Sequence, residues 1–192
     1  MSKDKFTPTG HIEIWKVYPD GSKEQHWSDH NIITSGMGVG LAHLYAASGS
    51  TSIVDYQILN YQVGTSGSLT DYGVSSYKLK GPLGGVKPYG LKSFLHVEDF
   101  QPIQNNFVAS PETFAGIPYS NIHRVSKTAV RFTLVLDDST ANSDDELNEV
   151  GLFMRNPTGG SPENPILVAY RPFIPIKKTK FFTLVFLWTL QF

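Results

Sequence analysis

The sequence FFTLVFLWTLQF, from Phe181 to Phe192, is the stretch of this chain that decides its fold. Its even-numbered positions are all large and apolar: Phe182, Leu184, Phe186, Trp188, Leu190 and Phe192. Side chains on a β-strand alternate between two faces, so the pattern predicts a long strand with one fully apolar face. The odd face mixes three polar residues with Phe181, Val185 and Leu187. We therefore expect a second sheet over the even face, and a helix or a neighbouring subunit over the odd one.

Composition narrows the class of protein. The chain has 192 residues, which suits one domain, and only 17% of them are charged, below the roughly 25% of typical soluble domains. A surface with few charges favours burial against partners. The net charge is -1, so no basic field exists to attract nucleic acid or an anionic membrane.

Other sequence features exclude further classes. Cysteine is absent, which excludes disulfides and thiol chemistry. The N-terminal segment has no apolar core of a secretory signal, and the final apolar run is too short for a helical membrane span. We expect a soluble protein made in the cytosol, with its last residue held inside a fold or an interface.

The rest of the chain is a series of short strands separated by turn signals. We predict strands at residues 12–18, 23–27, 58–64, 127–136, 147–154 and 166–176, in addition to the C-terminal one. Polar loops join the last four strands, which predicts an antiparallel sheet forming one layer of a sandwich. The predicted fold class is mainly β: one antiparallel β-sandwich domain spanning residues 1–192, with one short helix.

The predicted helix follows Ser35, which is a candidate N-cap, and Gly49 is a candidate stop. Three glycines lie in its first turns, each costing about 1 kcal/mol relative to alanine. Glycines at this density suggest that another backbone packs closely there. Residues 72–126 are rich in glycine, proline and aromatics. We expect them to form either an extended insertion or arm that packs on a neighbour, or irregular strands of one larger sandwich.

Four short motifs occur in an order that resembles tailed-bacteriophage virion structural proteins. The first is similar to N-x-I-x-x-x-G and consists here of Asn31, Ile33 and Gly36 or its neighbours, and the second is Y-x-V-G-T from Tyr61. N-E-V-G-L-F follows from Asn148, and W-T-L-x-F from Trp188 ends the chain. The resemblance covers about half of the chain. It implies a subunit of the tail, neck, baseplate or fibre-attachment region, located in the virion and assembled in the host cytoplasm.

Glu149 lies among apolar neighbours on the strand predicted at 147–154. A buried carboxylate is costly unless it is paired or accepts hydrogen bonds. We predict that Arg131 or Arg171, or a set of backbone amides, satisfies it. The role expected for Glu149 is structural.

Candidate catalytic and metal-binding residues are few. His26, Asp29 and His30 form H-x-x-D-H, but nothing nearby in the sequence completes a zinc site. Asp144, Asp145 and Glu146 are the best cation candidates, although a solvated turn explains them better. We therefore predict no metal, no cofactor and no enzymatic activity.

Two functional hypotheses follow. In the first, the chain is a structural virion subunit that binds copies of itself and other virion proteins through aromatic anchors in the middle segment. The predicted interface residues are Tyr72, Tyr77, Tyr89, Phe94, Phe100, Phe107 and Tyr119. A capsid-surface cement protein is a variant of this hypothesis. In the second, the chain is a carbohydrate-binding module for a glycan receptor, with Trp15, Trp27 and the middle tyrosines stacking on sugars.

Overall fold

The computed structural model describes residues 8–45, 57–64, 115–142, 146–154 and 166–192. These residues form one helix and ten strands. The strands are β1 (Thr9–Val17), β2 (Lys23–His30), β3 (Ile32–Ile33), β4 (Ile58–Gly64), β5 (Ala115–Gly116), β6 (Ile122–Arg124), β7 (Ala129–Leu136), β8 (Glu146–Met154), β9 (Ile166–Lys177) and β10 (Thr183–Gln191). The helix α1 spans Ser35–Tyr45, and a short 3-10 turn, Tyr119–Asn121, precedes β6.

The strands form two antiparallel sheets that share one core. Sheet I has the order β2-β1-β10-β7-β6, and sheet II has the order β3-β9-β8-β4-β5. This confirms the predicted mainly β, antiparallel sandwich with one short helix. The last four strands do not form a single layer, however, and that prediction is wrong. β7 pairs with β10 in sheet I and β8 pairs with β9 in sheet II, because the polar loops after β7 and β9 cross between the sheets.

The even-numbered face of β10 forms the centre of the core. β10 lies between β1 and β7, and Leu184, Phe186, Trp188 and Leu190 are 0% exposed. The ring of Phe186 packs edge-on against Phe173 of β9, with 5.8 Å between the ring centroids. A second sheet therefore covers this face, as predicted. Phe192 is partly buried against the same core, and its backbone N–H donates to the carbonyl oxygen of Thr128 at 2.8 Å.

Tyr61 joins the two sheets through a hydrogen bond. It lies on β4 of sheet II, is 3% exposed, and donates its hydroxyl proton to the backbone oxygen of Val135 in sheet I at 2.8 Å. Burial, and then the negative charge of Asp137, raise the pKa of Tyr61 to about 12. The folded protein therefore favours the protonated phenol, which is the form that makes this bond.

The segment before α1 attaches the helix to sheet II. Thr34, the residue before the helix, donates its backbone N–H to Val168 at 3.1 Å and its hydroxyl to Leu167. The helix then packs against β9. It begins at Ser35 itself, so Thr34 occupies the position before the helix that was predicted for Ser35. The predicted stop at Gly49 lies outside the described residues.

The helix glycines do not mark a close backbone approach at the two positions that can be examined. A Cβ added to Gly38 would have no described atom within 4 Å. A Cβ added to Gly40 would meet the side chain of Met154, with its Cε at 2.9 Å. Gly40 therefore leaves room for a side chain of sheet II, and nothing in the described residues accounts for Gly38.

The predicted arm at 72–126 falls mostly outside the described residues, but its last part does not. β5 pairs with β4 at the edge of sheet II, and β6 pairs with β7 at the edge of sheet I. Residues 115–124 therefore belong to the sandwich, and for this part of the segment the structure fits the alternative of irregular strands in one larger sandwich. Short segments such as AG and IHR carry no periodic signal, so pattern alone does not identify them as strands.

The hydrogen bond of Tyr61 yields a prediction about alkaline stability. The folded-state pKa of about 12 exceeds the ordinary tyrosine pKa of about 10. Tyr61 therefore contributes its full stabilisation below about pH 10, and loses it as the pH rises through about 12. We expect Tyr61→Phe to lower the free energy of unfolding by about 1 kcal/mol at pH 8. The difference from wild type should shrink steadily between pH 10 and 12, as measured by urea unfolding at each pH. A difference that does not change over this range would contradict the assignment.

Candidate interaction surface

The side of sheet I that faces away from the core is here called the outer face. Ile12 and Ile14 of β1, and Leu134 of β7, point into the core and are at most 1% exposed. The alternate residues on these strands therefore point outward. In the middle of the sheet these outward residues are half-buried or exposed, in contrast to the core face.

Apolar side chains lie next to one another across the middle of the outer face. Trp15 of β1 is directly opposite Val185 of β10, which in turn is opposite Val135 of β7. The neighbouring row contains Leu187, between Glu13 and Thr133. Trp15, Val185 and Leu187 are half-buried, and Val135 is 39% exposed. Residues in direct cross-strand register are close neighbours, so these side chains form one contiguous patch.

One end of the outer face is polar and rich in histidine. A transverse row crosses all five strands, in the order His30, His11, Thr189, Arg131 and His123. The Nε of Arg131 donates to the hydroxyl of Thr189 at 3.3 Å, so the row is linked at its centre. The outer face therefore combines an apolar middle with a polar end.

A second cluster connects the edge of sheet I to β9. Arg171 is 4% exposed, and its Nη2 donates to the carboxylate of Asp29. Its guanidinium lies over the ring of Trp27, 4.9 Å from the centroid. His26 makes a 2.8 Å hydrogen bond through Nε2 to the backbone oxygen of Ile174. These contacts hold β2 against sheet II, which identifies the cluster as structural.

Glu149 is buried, as expected for its position among apolar neighbours. It is 0% exposed, and its Oε2 accepts a hydrogen bond from the hydroxyl of Tyr170 at 3.1 Å. Tyr170 is directly opposite Gly151 on the adjacent strand, and is 2% exposed. The hydroxyl of Tyr170 on β9 is therefore one donor to Glu149, and the sequence pattern did not predict it.

The two arginines proposed as partners of Glu149 lie in different sheets. Arg131 is on β7 of sheet I, points to the outer face and binds Thr189, so the predicted pair with Glu149 is not formed. Arg171 is on the correct neighbouring strand, but it is in register with Val150 and donates to Asp29. Glu149 is in register with Pro172, one position along, so strand alternation turns Arg171 to the opposite face.

The other predicted site residues are mostly not described. Tyr72, Tyr77, Tyr89, Phe94, Phe100, Phe107, Asp144 and Asp145 lie outside the described residues. Tyr119 is 63% exposed, and its hydroxyl donates to Gln57 at 3.2 Å. Glu146 is exposed at the start of β8, opposite Lys177. Among the described residues, no group of three or more acidic or histidine side chains converges as a metal site.

The structure also shows a buried lysine in the turn KKTK (residues 177–180) between β9 and β10. Lys178 is 1% exposed, and its Nζ donates to the backbone oxygens of Asp137 and Thr179, at 2.7 and 2.9 Å. It also donates to Oδ1 of Asn142 at 3.2 Å. Burial lowers the pKa of Lys178, although nearby carboxylates oppose this shift. The lysine anchors the loop after β7, and no signal in KKTK distinguishes it from its exposed neighbours.

Comparisons of the chain with protein-family models, with curated proteins and with solved structures found no match. The part of the chain that the structure describes contains no helix that is both long and apolar enough to cross a membrane.

The bond between Tyr170 and Glu149 yields a second prediction. Removing a donor to a buried carboxylate costs about 1.5–3 kcal/mol, because the charge loses a hydrogen bond away from water. We expect Tyr170→Phe to lower the free energy of unfolding by this amount in urea titrations. Tyr119→Phe removes an exposed hydroxyl and is the matched control, with an expected change below about 0.5 kcal/mol. Equal effects of the two variants would show that Glu149 does not depend on Tyr170.

Proposed function

We propose that this chain is a structural subunit of a bacteriophage virion that assembles through the outer face of sheet I. The subunit binds further copies of itself and other virion proteins, in the tail, neck, baseplate or fibre-attachment region. The order of the four sequence motifs supports the virion part of the proposal. The apolar patch on the outer face supports the assembly part.

The observation that carries the proposal is the half-exposed apolar middle of the outer face. The odd face of the C-terminal strand was expected to need a cover, either a helix or a neighbouring subunit. The helix α1 packs against β9 in sheet II, so it is not the cover for sheet I. A neighbouring subunit is the remaining alternative of the two. An apolar centre with a polar rim is also the usual anatomy of a protein interface.

The arrangement of the tryptophans favours assembly over glycan binding. Trp188 is 0% exposed in the core, and the ring of Trp27 lies against Arg171 between the two sheets. Trp15 alone of the three lies on the outer face, and its Nε1 donates to Glu13 at 3.0 Å. A single indole among valine and leucine side chains resembles a protein interface more than a series of sugar subsites.

The assembly part is tested by replacing an apolar residue of the patch with a charge. We expect the wild-type chain to form an oligomer at tens of micromolar, by size-exclusion chromatography with light scattering. Leu187→Glu should shift it to the monomer, because a carboxylate would be desolvated at the contact. Ile174→Glu is the matched control: Ile174 is 47% exposed on sheet II, and its replacement should leave the oligomer intact. Val135→Glu, at a more exposed position of the patch, repeats the test if Leu187→Glu unfolds.

Four outcomes would each contradict a part of these assignments. A wild-type monomer at every concentration, or an oligomer unaffected by charges in the patch, would reject the outer face as the self-contact. A monomer that binds glycans on an array would instead support the carbohydrate-binding alternative. Separately, an antibody against the chain that fails to label purified virions would reject the virion location while leaving the oligomer result standing.

A further inference from the structure

His11 and His30 form a cross-strand pair on the outer face, at the end away from the apolar patch. They are direct register partners on β1 and β2. Their ring centroids are 5.6 Å apart, and the rings meet at an angle of 73°. His11 is half-buried and His30 is exposed, so both rings can be reached from solvent. The sequence analysis did not connect these two residues, because they are distant in sequence and only the strand register brings them together.

The spacing of the two rings suits a shared transition-metal ion. Zinc binds imidazole nitrogen at about 2.0–2.1 Å, which places the centres of two imidazoles on one tetrahedral ion about 5 Å apart. The observed separation of 5.6 Å is close to this distance. β1 is held between β2 and β10, so the backbone that carries the pair is already fixed. A fixed backbone lowers the entropic cost of bringing two ligands together.

Two neighbouring side chains favour a cation at this position. The hydroxyl of Ser28 lies 2.9 Å from Nε2 of His11. When Ser28 accepts the proton of Nε2, the lone pair of His11 is left on Nδ1, which is how an outer partner commonly prepares a metal-binding histidine. Glu13 follows His11 on the same face, and its carboxylate adds negative charge nearby. The positive charge of Arg131 would repel a bound cation, but Arg131 lies two strands away from His11.

We propose that His11 and His30 bind one divalent transition-metal ion of the class that prefers imidazole, namely Zn²⁺, Ni²⁺ or Cu²⁺. The two imidazoles are the protein ligands, and water completes the coordination sphere. Ser28 orients His11 and does not itself bind the ion. The site is independent of the proposed assembly function, and it shares only His30 with the H-x-x-D-H group. The other two members of that group have different partners, because Asp29 binds Arg171 and His26 binds the backbone oxygen of Ile174.

The test is a calorimetric titration of the full chain, without a histidine tag and after treatment with a chelator. NiCl₂ and ZnCl₂ are titrated separately into wild type and into His11→Gln, His30→Gln and Ser28→Ala. We expect one equivalent to bind wild type, and at least a tenfold weaker Kd in each histidine variant. Ser28→Ala should weaken binding by about tenfold, as loss of an outer partner typically does. His123→Gln is the matched control, because His123 lies in the same transverse row at the far edge of the sheet, and its Kd should be unchanged.

The proposal is overturned if wild type binds neither metal, or if the Kd is the same in wild type and both histidine variants. Loss of binding in His123→Gln equal to that in His11→Gln would also overturn it, because the ion would then belong to histidines in general. If a variant fails to fold, the site is tested on the wild-type protein instead, by the changes in amide and imidazole NMR chemical shifts when Zn²⁺ is added. Shifts centred on His11 and His30 support the site, and shifts centred elsewhere reject it.

Discussion

The burial of the even face of β10 is the constraint on which the rest of the structure depends. Leu184, Phe186, Trp188 and Leu190 occupy successive inward positions and are each 0% exposed. Burial of large apolar side chains of this kind stabilises a fold by about 1.5–3 kcal/mol each. Since β10 is flanked by β1 and β7, its register also fixes which residues of those strands point inward. The same alternation points Val185 and Leu187 outward. The side-chain pattern of β10 therefore determines both the core and the apolar patch on the outer face.

The two sheets differ in the solvent exposure of the sides that face away from the shared core. On sheet II, a Cβ added to Gly151 would meet Leu167 and Phe153, which places these residues together on the side away from Val150 and Leu152. Leu167, Phe153, Tyr170 and Glu149 on that side are at most 2% exposed. The middle of sheet II is therefore buried on both sides, although Ile174 further along β9 is 47% exposed. In the middle of sheet I, Trp15, Val185 and Leu187 are only half-buried on the outer face and lie beside the exposed Val135, which is why we assign the interaction surface to sheet I.

Residues whose role depends on strand periodicity could be predicted from the sequence. The alternation of residues 182–192 and the apolar run at 147–154 predicted two long strands, one apolar face and a buried Glu149. Their sheet partners could not be predicted in the same way, since periodicity does not say which strands pair. For that reason Arg131 was assigned beside Glu149, whereas it lies in the other sheet. The cross-strand pair of His11 and His30, and the buried Nζ of Lys178, depend on contacts between residues distant in sequence and have no local signal.

Chemical protection of single cysteines tests directly whether subunits meet through the outer face of sheet I. The natural chain has no cysteine, so Leu187→Cys introduces one thiol on the outer face and Asp20→Cys introduces one in the exposed turn between β1 and β2. Their reaction rates with a maleimide are measured from dilute to concentrated protein. If subunits meet through the outer face, the reaction of the thiol at position 187 slows at least tenfold as the protein associates, while the thiol at position 20 reacts at a constant rate. Constant reactivity at position 187, in a protein that associates, would place the contact elsewhere and reject the outer face as the interface.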